Sequence, residues 1–191
     1  KTGDEWTLWI PADTEITTDI EDALTTCISN VETVILPRLS TIWGAWADVD
    51  GDGKIALLVC PTINEEKIAL GFFNRTDLFE QETDTSAESY NPYSNQMDVV
   101  YIAVPTTDID SSYSASSISA TIAHEMTHAI TFNTKTFVHI KAGESDYSAE
   151  EVFLDEGWSH LSENLCGFGV SGGNKKFFDL FMANTQNYSF C

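Results

Sequence analysis

The sequence predicts an α+β fold with a small, twisted, mostly antiparallel or mixed sheet. Three observations carry this. The chain has 191 residues, 42% hydrophobic and 12% aromatic, enough to bury a sizeable core. Apolar positions recur at helical spacing in some stretches and form short compact runs in others. The order is helix, strands, then helices. With no linker-like stretch and no internal repeat, residues 1–191 read as one domain.

Residues 6–10 alternate and are β-rich, a short strand stopped by Pro11. From Asp19, with Glu21 and Asp22 in the first turn, Ile20, Leu24, Cys27, Val31 and Ile35 recur at helical spacing. That pattern predicts a long amphipathic helix, bent or broken near Pro37. The apolar runs 55–60, 68–73 and 98–104 predict strands, the last ended by Pro105. Between 76 and 96 the chain turns polar and reads as a long surface loop. Residues 114–131 open on serines suited to capping and place Ile118, Ile122, Met126 and Ala129 on one helical stripe. A second helix is expected over 150–165, burying Val152, Phe153, Leu161 and Leu165, and a shorter one over 175–183.

Thirty acidic residues against nine Lys and Arg give a net charge of −21. Phosphate backbones and anionic lipid would be repelled, which excludes nucleic-acid binding as the main task. No run approaches the roughly 18 apolar residues of a membrane span. Cys27, Cys60, Cys166 and Cys191 form no CxxC pair. They fit up to two disulfides in a secreted or cell-surface protein, with Cys166–Cys191 closing a Gly-rich segment and Cys27 as a core residue instead.

The clearest chemical signal is His124-Glu125-Met126-Thr127-His128. On a helix, positions four apart share a face, so both imidazoles can reach one Zn²⁺ at about 2.0–2.1 Å. Glu125 lies next to that face, placed to take a proton from a metal-activated water. A third protein ligand is required. The arrangement with a third histidine six residues on is excluded, because Thr131 and Thr134 occupy the glycine and histidine positions it needs. Glu156, in the run Glu156-Gly157-Trp158-Ser159-His160 of the next helix, is the expected ligand, with His160 as a rival or a supporting partner.

His124 to His128 with the downstream Glu156-Gly157 resembles the gluzincin metallopeptidases. The longer strings around 121–133 and 153–159 are most similar to the hyicolysin-type neutral metallopeptidases. The resemblance implies a zincin-like architecture, the sheet packed on the HExxH helix and on a second ligand-bearing helix. It also implies Glu156 as third ligand and Glu163 as the residue that orients a ligand histidine from behind. Gluzincins further supply a tyrosine or histidine to the transition state, for which Tyr188, His160 and His139 are the residues available.

Asp48-Val49-Asp50-Gly51-Asp52-Gly53 has carboxylates at positions 1, 3 and 5 and a glycine that turns the chain, the first half of a Ca²⁺ loop. Position 12 is Val59, so Asp48, Asp50 and Asp52 would need other oxygens to complete a calcium site. The expected function is a zinc-dependent endopeptidase acting on protein or peptide substrates, with Glu125 as general base. The segment 98–104 is expected to be an edge strand that pairs with extended substrate. The rival is a surface adhesin or binding module whose zinc or calcium is structural.

Overall fold

A computed structural model describes residues 1–187. Four strands, β1 (Trp6–Trp9), β2 (Ile55–Val59), β3 (Gly71–Phe73) and β4 (Val99–Ile102), form one sheet in the order β1-β2-β4-β3. The first two pairings are parallel and β3–β4 is antiparallel, so the sheet is mixed rather than mostly antiparallel. A parallel strand needs cover on both faces, and β2 buries Ile55, Leu57 and Val59 almost completely.

The first helix begins as α1 (Thr18–Asn30), capped by Thr17, whose hydroxyl accepts from the Ile20 N–H at 3.3 Å. It passes through a π-turn (Val31–Ile35) into α2 (Leu36–Ile42). Pro37 therefore does not break the helix. The wider turn immediately before it absorbs the missing N–H and the ring's bulk. After β2, α3 (Pro61–Glu66) leads to β3, which is shorter than the run 68–73 suggests because Ile68 is solvent-exposed. The polar stretch 76–96 is indeed mostly turns, pinned by a bridge between Glu82 and Asn91.

The central helix α4 (Ala115–Phe132) is capped by Ser114, whose hydroxyl accepts from the Ser117 N–H. Its apolar stripe, Ile118, Ile122, Met126 and Ile130, is fully buried against the sheet, α1 and α2. A second π-turn (Asn133–Phe137) and α5 (Val138–Lys141) follow. Next come α6 (Val152–Leu165) and α7 (Asn174–Ala183).

In α6 the expected faces are reversed. Val152 is 76% and Phe153 67% exposed, and Leu161 and Leu165 also face out. The side against α4 buries Ser159, Ser162 and Glu163 instead. The reason is chemical: the face that meets the histidine-bearing helix carries groups that bind those histidines, so apolar residues are displaced to the far side.

Cys27 is a core residue, its thiol donating to the Ala115 carbonyl, and Cys60 is also free, so a second disulfide does not form. Cys166, buried at the end of α6, is free as well, so the expected bridge from it to Cys191, which lies outside the described residues, does not form either. Among the described residues no helix is long and apolar enough to cross a membrane.

Candidate metal centre

The two histidines project from the middle of α4 at one turn's spacing, their rings 4.9 Å apart and nearly perpendicular. Glu156 reaches between them from α6. Its carboxylate oxygens lie 3.3 Å from His124 Nε2 and 3.7 Å from His128 Nε2. Four ligands held tetrahedrally at about 2.0–2.1 Å from an ion stand about 3.4 Å from one another. The three side chains are thus spaced as ligands around a common centre, and they form a group able to hold a metal ion.

Each imidazole is also gripped from behind. His124 Nδ1 lies 2.7 Å from Glu163 Oε1, and His128 Nδ1 lies 3.0 Å from Asp155 Oδ2. A carboxylate at Nδ1 selects the tautomer with its proton there and leaves the Nε2 lone pair free, facing Glu156. Burial works against a charged ring at His128, but the hydrogen bond and charge of Asp155 outweigh it and raise its basicity. For Glu163 burial also opposes the charge, and the bonds from His124 and His160 prevail, holding its carboxyl below the usual range.

His160 stands one step removed. Its Nδ1 bonds the same Glu163 oxygen at 2.9 Å, so it groups with His124 and Glu163 and not with Glu156. Asp155 and Thr131 belong to this cluster although spacing did not single them out. The Thr131 hydroxyl donates to Asp155 Oδ1 at 3.1 Å, fixing the carboxylate that fixes His128. The available signal was the rule that a ligand histidine needs an acceptor at its second nitrogen, but nothing in the sequence said which acid would supply it.

Glu125 is half-buried, and burial holds its carboxyl above the ordinary range while the two imidazoles pull the other way. The Phe73 N–H donates to its Oε2 at 3.0 Å. This bond corrects the expected substrate strand. β4 lies inside the sheet, and its neighbour Asp98 is buried, accepting from the Ala47 and Val49 N–H groups. The strand beside the cleft is β3. In an antiparallel ladder alternate residues turn their backbone groups outward, and Phe73 is one of them.

β3 reaches α4 this closely because Gly71 has no side chain. A Cβ there would stand 2.6 Å from the Tyr101 carbonyl oxygen and 2.8 Å from Thr121 Cγ2. Gly71→Ala is expected to cost about 1–3 kcal/mol by forcing strand and helix apart. Urea denaturation measures it, and an unchanged midpoint would mean the strand has slack.

The cleft has a volume of about 500 Å³ and is lined by His124, Glu125, His128, Glu156, Phe73 and Arg75 among others. His139 pairs with Glu144 outside it, and Tyr188 lies outside the described residues. The aspartate loop brings Asp48, Asp50 and Asp52 together on the surface, their ligand atoms within 4.8 Å. Each carboxylate also accepts a backbone N–H, from Gly53, Asp52 and Lys54 respectively. No protein-family model and no curated protein gives a match to this chain.

Proposed function

We propose that the protein is a zinc-dependent endopeptidase of zincin-like architecture, with His124, His128 and Glu156 as metal ligands. The observation that supports this most is the separation of Glu156 from the two Nε2 atoms, combined with a carboxylate behind each ring. Two neutral imidazoles and one carboxylate suit zinc in a catalytic set of three. Zinc bound there would supply Lewis acidity, activating water near neutral pH and polarising a scissile carbonyl.

The chain's own residues do the rest. Glu125, with its carboxyl raised by burial, is a base of useful strength beside the two rings, taking a proton from water and returning it to the leaving amine. The Phe73 N–H holds that carboxylate in place. β3 is the edge strand, and apart from the Phe73 N–H that Glu125 takes, its outward backbone groups can pair with an extended peptide lying across the cleft as an added strand. Glu163 and Asp155 keep both rings aimed. The aspartate loop is proposed to take Ca²⁺, and the setting to be extracellular.

The test is digestion of a peptide library by protein whose metal content is known. Cleavage within chains, one zinc per chain, and loss of cleavage on chelation with the fold retained are expected; elemental analysis reads calcium in the same sample. A binding module with structural metal would instead melt on chelation and cut nothing.

A further inference from the structure

We propose that Arg75 is a specificity-determining residue that binds a carboxylate on the substrate, so that the cleft selects acidic peptides. Arg75 lines the cleft beside His124, Glu125, His128 and Glu156. It also lines an adjoining recess of about 100 Å³, where Lys135, Thr136, Glu150 and Asp155 meet it, Glu150 being paired with Lys135.

The first argument is its lack of a partner. Of the nine bases, Lys1, Lys135 and Lys175 hold Glu21, Glu150 and Asp179, Arg38 and Lys54 donate to backbone carbonyls, and Lys141 lies over the Phe137 ring. Lys67 and Lys176 make no ion pair among the described residues either, but they lie outside this cleft, which Arg75 lines. Among the described residues Arg75 makes no ion pair and no side-chain hydrogen bond, although Asp155 and Glu156 line the same cleft. Those two acids are committed elsewhere: Asp155 to His128 and Thr131, Glu156 to the two Nε2 atoms. The guanidinium's fork of donors is therefore unengaged in an exposed residue that lines the cleft of the proposed reaction centre.

The second argument is the way its backbone is held. On one side the Phe73 N–H is bonded to Glu125. On the other, Asn74 Oδ1 accepts from the Thr76 N–H and hydroxyl, and Asn91 donates to the Thr76 carbonyl. Arg75 thus springs from a fixed point at the end of β3, where a peptide lying along that strand would present its side chains. A carboxylate is the partner whose geometry fits the fork, and a bidentate pair of this kind is worth much more than a surface contact between flexible chains.

The carboxylate could belong to a side chain or to the end of a peptide, and calorimetry separates the two. The protein is Glu125→Gln, which should hold peptide without cutting it. The probes are an acetylated, amidated pentapeptide with a central Glu and its Gln counterpart, then the Gln peptide with a free C-terminus. Binding about tenfold tighter for a carboxylate-bearing peptide is expected, abolished by Arg75→Ala and replaced in Arg75→Glu by preference for a central Lys. Preference for the central Glu names the side chain, and preference for the free end names the terminus.

Equal affinity for all three peptides would overturn the proposal, as would a preference that survives Arg75→Ala. Arg75 is exposed, so both variants should fold, and circular dichroism checks this. The catalytic consequence rests on the endopeptidase reading. In a library digest Arg75→Ala should remove enrichment of acidic residues near the cut while other sequences are cut as before. An even loss across all sequences would show Arg75 serving the reaction and not selection. No cleavage at all by wild-type protein would remove the endopeptidase reading and leave the calorimetric preference standing on its own.

Discussion

Glu125→Gln is expected to retain one zinc per chain while losing peptide hydrolysis by at least about 10²- to 10⁴-fold in kcat. The amide matches the carboxylate in shape, and its oxygen can still accept the Phe73 N–H that holds residue 125 in place. The three proposed ligands are untouched. Only the capacity to take a proton is removed. Metal analysis and a fluorogenic peptide assay on the same sample read both quantities. Hydrolysis at the wild-type rate would mean that another group is the base, and loss of zinc along with activity would mean that residue 125 helps hold the metal.

Glu156→Ala should do the opposite and empty the site. Removing an outer partner of a metal ligand typically weakens binding about 10- to 100-fold, and deleting a ligand should exceed that. The rival ligand the sequence offers is His160, four residues on, but its Nδ1 is bound to Glu163 and it groups with His124 on the far side of that ring. It is badly placed to fill the gap. Competition with a chromogenic chelator measures the loss of affinity. Undiminished zinc binding would move the third ligand to another group, and the ligand spacing seen at Glu156 would then have no role in holding the ion.

The histidine pair and its helix were legible because a local rule governs them: i and i+4 share a face, and Ser114 with the stripe Ile118, Ile122 and Met126 marked the helix carrying them. Glu156 was suggested by its place in the next helix and by the resemblance to gluzincins, and Glu163 by that resemblance alone. The strand beside the cleft was not legible. Whether 68–73 or 98–104 lies at an edge depends on the order in which strands pair, and no local periodicity encodes that.

The same blindness explains the reversed α6. Amphipathicity reports which side of a helix avoids water only if the opposing surface is apolar, and here that surface holds two histidines. Asp155 was missed for a related reason. Its neighbour Glu156 drew the ligand assignment, and only the coordinates reveal that consecutive acids divide the work, one to each nitrogen of the His128 ring.

The polar inner side of α6 has a consequence for how the helix stays docked. Three acids, Asp155, Glu156 and Glu163, converge with Glu125 on two imidazoles, so excess negative charge gathers at a junction that little hydrophobic burial holds shut. A divalent cation at the proposed position would neutralise that excess and clamp the two helices together. Ion occupancy and helix docking would then be thermodynamically linked. The layer of Ile118, Ile122, Met126 and Ile130 beneath α4 owes nothing to those charges and would persist without the ion. Emptying the centre would therefore loosen one side of the molecule and leave its interior intact.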